Sequence, residues 1–130
     1  MAEMINLKTG RRSEMIDITP LVQKTVSQNN IPKGLCVIYV PHTTAGITIN
    51  EGADPAVCDD ILAKFNEIIP PAAGYRHAEG NADSHIKASL MGSSVTVIIE
   101  EDRLLLGTWQ KIFFCEFDGP RSRQIYVKLI

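Results

Sequence analysis

The sequence predicts a single α+β domain built on a largely antiparallel sheet or sandwich, with about three helices. Three observations carry that reading: about seven segments are apolar or alternating over strand length, about three show helical spacing, and Gly, Pro, Asn or Asp marks nearly every junction. At 130 residues the chain is long enough to bury one core, and no linker, repeat or low-complexity tract divides residues 1–130.

Met4 to Lys8 and Glu14 to Ile18 alternate apolar with polar around Thr9-Gly10-Arg11-Arg12-Ser13 and read as a hairpin. Thr19-Pro20 places a capping hydroxyl before a proline at the first helical position. Leu21, Val22, Thr25 and Val26 then supply one apolar face of a short helix, which Asn29-Asn30 and Pro32 end. Leu35 to Val40 is a continuous apolar run, the pattern of a strand covered on both faces.

Pro41 stops that strand, and His42 to Gly46 bends the chain into a second one, Ile47 to Asn50. Asp54 caps the next helix, with Pro55 at its first position and Val57, Ile61, Leu62, Phe65, Ile68 and Ile69 on one stripe. Pro70-Pro71 ends it. A long connection follows, and His85 to Met91 forms a short helix with Asp83 or Ser84 as cap and Gly92 as stop. Ser94 to Glu100 is a strand and Glu101-Asp102-Arg103 a polar turn. Leu104 to Asp118 and Arg123 to Ile130 are strands separated by Gly119-Pro120-Arg121, and the strands are expected to be mostly hairpin-connected.

The apolar fraction of 45% and charged fraction of 22% are those of an ordinary globular protein. A net charge of -2 offers no overall attraction to nucleic acid or to an anionic membrane. No leader-like pattern opens the chain and no apolar stretch reaches bilayer-spanning length, so a cytoplasmic protein is expected. Cys36, Cys58 and Cys115 are odd in number and lack Cys-x-x-Cys spacing, which argues against a disulfide framework or a thiolate zinc site and for inert packing.

Chemistry concentrates in the connection Tyr75-Arg-His-Ala-Glu-Gly-Asn-Ala-Asp-Ser-His85, which holds two of the three histidines. Loops of this length inside a compact domain tend to be functional or disordered, and this one runs straight into a capped helix. His42 follows a buried strand among small hydroxyls that leave an imidazole accessible. His42, His77 and His85 all lie in polar loop sequence, and together they have the composition of a zinc site with an open position. As separate side chains each is better explained as a solvated or hydrogen-bonded loop histidine.

Glu51 leaves a strand and enters a helix, where it can act as a general base or orient an imidazole. Asp83 is either a ligand or a cap. Lys111, Arg121 and Arg123 exceed what the turns near them require and can form a cationic rim for a phosphate, while Trp109 can stack on a flat ring or pack as an anchor. No nucleotide-binding glycine loop and no Ser or Cys nucleophile motif is present.

Read together, His42-Thr-Thr-Ala45, Asn50-Glu51, His77 to His85 with Asn81 and Asp83, Gly107-Thr-Trp-Gln110, and Glu116-Phe-Asp-Gly-Pro-Arg121 resemble the YjbQ family, small proteins labelled secondary thiamine-phosphate synthases. The resemblance spans almost the whole chain. It implies an α+β fold, a homotrimer, and a pocket lined by His42, Asn50, Glu51, His77, Asp83, His85, Trp109, Gln110 and Arg121.

It also implies an ability, weak and possessed alongside another role, to join hydroxymethylpyrimidine diphosphate to thiazole phosphate with release of pyrophosphate. In that chemistry His42, Glu51 and Asp83 are the candidate catalytic groups, and Asn50, Trp109, Gln110, Lys111 and Arg121 the substrate-binding ones. Asp83 and Glu51 offer oxygen ligands to Mg²⁺. His42, His77 and His85 suit a transition metal such as Zn²⁺ better, so a metal-dependent hydrolase is the alternative, and a non-enzymatic binder of a metabolite or metal the third reading. The expected partner is a phosphorylated small molecule.

Overall fold

The structure is a computed structural model that describes residues 2–130. Its elements are β1 (Glu3–Lys8), β2 (Glu14–Asp17), α1 (Thr19–Gln28), β3 (Lys33–Tyr39), β4 (Ala45–Glu51), α2 (Pro55–Ile68), α3 (Ala82–Met91), β5 (Ser94–Glu100), β6 (Arg103–Leu104), β7 (Gln110–Glu116) and β8 (Ser122–Leu129). The architecture is α+β, with two antiparallel sheets in the orders β1-β8-β3-β5-β6 and β2-β7-β4.

The main core lies where Cys36 and Ile38 of β3, Ile125 and Val127 of β8, and Ile112 and Phe114 of β7 meet Val22 and Val26 of α1. A smaller cluster forms on the other face of β7, where Phe113, Cys115 and the following Phe117 meet Ala88 of α3 and Leu62 and Phe65 of α2. The strand buried on both faces is therefore β7 and not β3. The residues of β3 that alternate with Cys36 and Ile38 point away from this core, and Leu35 and Tyr39 are 41% and 47% exposed. Among the described residues, no helix covers that side.

The expected hairpin between the first two strands does not form. β1 pairs with β8, from Glu3 opposite Val127 to Lys8 opposite Ser122, whereas β2 pairs with β7. Both β1–β2 and β7–β8 cross between sheets, and the two crossings are stitched together: Thr9 N–H donates to the Arg121 carbonyl at 2.9 Å and Gly119 N–H to the Arg12 carbonyl at 3.0 Å. A Cβ at Gly119 would collide with the Arg11 carbonyl, so glycine is what lets the crossings approach. Alternation predicted each strand, but its partner was set by this crossing. β5–β6 is the one pairing between strands adjacent in sequence among the described residues.

Thr19 does not cap α1. Its hydroxyl accepts from Ile112 N–H at 2.8 Å, tethering the helix to β7, while Asp17 Oδ1 accepts from Thr19 N–H at 2.9 Å. Leu21 is exposed, and Val22, Thr25 and Val26 are buried as expected. Asp54 caps α2 as the sequence predicts, accepting from Ala56 N–H at 2.9 Å with Pro55 at the first position. The apolar stripe of α2 is only half-covered, with Ile68 exposed and Ile69 buried.

α3 begins at Ala82, three residues before its expected start, so Asp83 and Ser84 sit inside its first turn and cap nothing. Ser84 Oγ donates to the Phe117 carbonyl at 2.6 Å, and Asp83 is fully buried between Lys87 Nζ at 2.8 Å and Arg12 Nη2 at 3.0 Å. Gly92, at φ +95°, ends the helix as predicted. The expected strand from Leu104 to Asp118 is two strands in different sheets, β6 and β7, divided at Gly107, whose carbonyl accepts from Gln110 N–H at 3.1 Å.

Candidate functional site

β3 ends against the start of β8, and the bend His42-Thr43-Thr44 between β3 and β4 is fixed there from two sides. Gln124 N–H donates to His42 Nε2 at 2.9 Å, and Arg123 Nη2 donates to Thr44 Oγ1 at 2.8 Å. Arg123 is buried against Glu116, with Nε 2.8 Å from Oε1 and Nη2 against Oε2. Thr9 Oγ1, at 2.7 Å, and the N–H groups of Phe117 and Asp118, at 3.1 Å, complete the carboxylate's shell. Burial pulls the Glu116 carboxyl upward, but its bonds to Arg123, Thr9 and Asp118 outweigh that and hold it below the ordinary range. Arg123 is thus a structural cation committed to Glu116, not part of a free cationic rim.

Above this buried pair lies an open region walled on the other side by α3 and the loop before it. His42, Thr43 and Ala45 face His85, Ala88 and Ser89 across a cleft of about 400 Å³. An adjoining cleft of about 390 Å³ shares His42, Thr43 and His85 and adds Glu79, Asn81, Asp118 and Arg121. His77 stands edge-on to His85 with ring centres 5.2 Å apart, and its Nε2 is 3.6 Å from Glu79 Oε2.

Asp118 organises the rim. It accepts from Asn81 Nδ2 at 2.9 Å and from Arg121 Nη2 at 2.8 Å, and Arg121 Nε donates to its carbonyl at 2.6 Å. Burial pulls the Asp118 carboxyl upward, while these bonds and the charge of Arg121 prevail and hold it low. Arg121 remains half-exposed, and Asn81 Oδ1 is a buried acceptor with no partner among the described residues. Burial and the Arg123 charge push the His42 imidazole below its ordinary value, against the pulls of the Gln124 backbone and of Glu116.

The remaining expected site residues lie elsewhere. Asn50 and Glu51 end β4 opposite Lys111 and Gln110 of β7, whereas Ala45, beside the cleft, pairs with Glu116. Six residues of strand, about 20 Å, separate the two ends. Asn50 Oδ1 accepts from Glu51 N–H at 2.7 Å, Glu51 Oε2 from Asp54 N–H at 3.2 Å and Gln110 Oε1 from Gly107 N–H at 2.8 Å. Trp109 is 62% exposed, and the Lys111 stem lies over Gly52. Within one chain, the expected pocket is therefore divided between two ends of the β4–β7 pair, with Asp83 sealed inside the protein below α3.

The metal sets named from sequence do not assemble within the chain. His42 Nε2 is occupied by Gln124 N–H, both Asp83 oxygens are taken by cations, and Glu51 is at the far end of β4. Among the described residues, no group of three or more His, Cys, Asp or Glu is placed to hold a metal ion. His77 contacts His85 and lies 3.6 Å from Glu79.

Sequence reasoning missed Glu116, Thr9, Arg12 and Lys87 as a supporting framework. Glu116 had a signal, a carboxylate inside the run Ile112-Phe-Phe-Cys-Glu-Phe117, where a charge persists only if paired. Nothing in the local pattern marks Arg12. All three cysteines are free. Burial pushes the Cys36 thiol up to about 11 and raises Cys58 and Cys115, as suits packing groups. No helix among the described residues is long and apolar enough to cross a membrane.

Residues 3–130 match the family model described as UPF0047 protein YjbQ-like. The UPF0047 protein MJ1081 of Methanocaldococcus jannaschii is 55% identical over 95% of this chain and 90% of its own length. The UPF0047 protein YugU of Bacillus subtilis is 51% identical over 100% and 99%. Among solved structures, an uncharacterised YjbQ/UPF0047 protein of Clostridium acetobutylicum superposes with a TM-score of 0.97 at 53% identity, covering 98% of this chain and 99% of that one. A YbjQ-like protein of unknown function from Sulfolobus solfataricus gives 0.94 at 36% identity, covering 99% and 95%.

Proposed function

We propose for this chain, which belongs to the YjbQ-like UPF0047 family, a transferase chemistry of the thiamine-phosphate synthase type on a small phosphorylated substrate. The observation that supports it is the cleft in which two imidazoles, His42 and His85, face a half-exposed cation, Arg121. In this reaction the bond between the pyrimidine methylene carbon and the diphosphate oxygen breaks. The thiazole nitrogen forms the new bond to that carbon, and pyrophosphate leaves with the electron pair.

What the protein must supply is stabilisation of charge gathering on the leaving diphosphate. Donors fixed before the reaction do this best, because they need not reorganise. Arg121, held by Asp118, and the imidazole N–H of His42, held by Gln124, are such donors, and His85 faces the same space. No step is assigned to Mg²⁺ between Asp83 and Glu51, since the two carboxylates do not face one site. The test is formation of thiamine phosphate from the two phosphorylated precursors. Arg121→Ala is expected to raise KM roughly tenfold, and a folded protein that forms no product under any divalent cation overturns the reading.

A metal-dependent hydrolase is the second reading, favoured by one observation, the contact of His77 with His85 beside Glu79. Near-stoichiometric zinc in the purified protein that disappears in a folded His77→Ala/His85→Ala variant would favour it over the transferase.

The assembly proposed is a homotrimer located in the cytoplasm, where free cysteines stay reduced. Its support is the outward face of the five-stranded sheet, where Met4, Leu35, Tyr39 and Ile98 are exposed and cross-strand neighbours form an apolar stripe. Such a trimer also offers a way to bring the Glu51–Trp109 end of one copy to the His42 cleft of another. Tyr39→Glu is expected to yield monomers by light scattering, and an unchanged mass would remove this face as the interface.

A further inference from the structure

The backbone holds His42 in one tautomer, and we propose that this residue serves the cleft as a neutral hydrogen-bond donor through Nδ1, binding an anionic oxygen of the substrate. It acts as neither a proton acceptor nor a metal ligand. This rests on the reading that the cleft takes a phosphorylated substrate and names the part of that substrate which His42 meets.

The argument begins with Gln124. A main-chain N–H can only donate, so the ring atom 2.9 Å from it, Nε2, must present a lone pair. A neutral imidazole with its lone pair on Nε2 carries its proton on Nδ1. Gln124 is not free to turn away, since it lies within β8 opposite Asn6 of β1. The same stretch is pinned one residue earlier, where buried Arg123 binds both Glu116 and Thr44. The tautomer is therefore a property of the strand pairing and not of a mobile side chain.

Nδ1 itself has no hydrogen-bond partner among the described residues. It is also not a sealed atom, for among the described residues the one buried side-chain polar atom left without a partner is Asn81 Oδ1. The ring borders both parts of the cleft. An open N–H there asks for an acceptor oxygen, and Arg121 on the same wall, paired with Asp118 through Nε and Nη2 and facing Glu79 across the cleft, remains half-exposed as a cation for an anionic one. Burial and the Arg123 charge oppose the charged imidazolium and prevail over the opposite pulls of the Gln124 backbone and of Glu116, so the neutral ring is favoured alongside the geometry that sets its tautomer.

The consequence is a division of labour. Accepting a proton or a metal at Nε2 would break the bond to Gln124, and Nδ1 has no lone pair in this tautomer. His85, whose ring faces the same space, is then the imidazole free for acid–base work.

The experiment is ¹⁵N–¹H imidazole spectroscopy of the folded protein, alone and with inorganic pyrophosphate or malonate. Affinity for each anion is measured in His42→Asn, His42→Gln and His42→Ala. The Asn amide places an N–H₂ near the Nδ1 position, whereas Gln extends past it toward Nε2. A protonated Nδ1 and a bare Nε2 on His42 are expected, with Nδ1 moved by pyrophosphate. His42→Asn should stay within about threefold of wild type, while His42→Gln and His42→Ala bind pyrophosphate roughly tenfold or more weakly.

A proton on Nε2, or equal losses in all three variants, overturns the proposal. Pyrophosphate that shifts Arg121 and His85 but leaves His42 Nδ1 unmoved also overturns it, while the phosphorylated-substrate reading stands. Malonate moving Nδ1 where pyrophosphate does not supports the donor role and overturns that reading instead. If neither anion moves any of these signals, both fall.

Discussion

The two ends of the β4–β7 pair have similar polar composition and opposite uses for it. At the Ala45–Glu116 end, Glu116 and Arg123 are buried as a pair and each is bonded to a residue distant in sequence, Glu116 to Thr9 and Arg123 to Thr44, and the imidazoles above them are left with open atoms. At the Glu51–Gln110 end, the polar groups close their own loops: Asn50 on Glu51, Glu51 on Asp54, Gln110 on Gly107. A polar cluster whose bonds are local builds a turn, whereas one held from below by long-range pairs can present free donors to a ligand.

The sharpest way to break this contrast is to unpair the buried end. Glu116→Ala leaves the Arg123 guanidinium buried without its carboxylate, and a loss of about 3–5 kcal/mol in urea unfolding is expected. Glu51→Ala at the other end should cost under about 1 kcal/mol by the same measurement, because only an exposed loop bond is lost. Comparable losses would erase the distinction between the ends.

Acid should reveal the same asymmetry. Glu116 and Asp118 are held below their ordinary values, so in the folded state they release protons at lower pH than in the unfolded chain. Their stabilisation is complete above the ordinary carboxylate range and is lost as pH falls through their lower folded values. His42, also lowered, contributes stability above its unfolded value of 6.5 that fades as pH falls below it. Thermal melts at stepped pH should therefore decline in two stages, and Asp118→Asn should make the lower stage shallower. An unchanged lower stage would contradict the role given to Asp118.

Two smaller effects complete the comparison. Asp54→Ala removes a formed cap and should cost about 1 kcal/mol. Trp109→Ala should change monomer stability by no more than about 0.5 kcal/mol, given its exposure. A larger, concentration-dependent loss for Trp109→Ala would show instead that another copy covers it, and would place the far end of β4–β7 in the assembly.

Much of the fold was legible because periodicity and punctuation are local. Ser94 to Glu100, the Asp54-Pro55 start of α2 and the Gly92 stop of α3 were readable from neighbouring residues alone. Strand partners were not, since β1 and β2 alternate just as a hairpin would, and only the stitching of Thr9 to Arg121 and Arg12 to Gly119 sends them to different sheets. The double burial given to β3 belongs to β7, because an apolar run does not say which of its faces the rest of the chain covers.

The site was legible in part. His42, His85 and Arg121 line one cleft, and His77 touches His85. The motifs that place Asn50, Glu51, Trp109 and Gln110 in the same pocket carry no information on distance, and in one chain a strand's length divides them. Asp83, expected as a ligand or a helix cap, does not cap, because α3 begins at Ala82 and places it in the first turn, where Lys87 comes into reach four residues on. His42 shows the converse, an imidazole whose useful nitrogen is decided by a backbone group on β8, 82 residues away.

The measurement that bears most directly on the contrast between the two ends is an amide ¹H–¹⁵N titration with inorganic pyrophosphate. Shifts are expected in His42 to Ala45, Asn81 to Ser89 and Asp118 to Gln124. Shifts confined to Asn50 to Gly52 and Trp109 to Lys111, with the His42 end silent, would contradict the account.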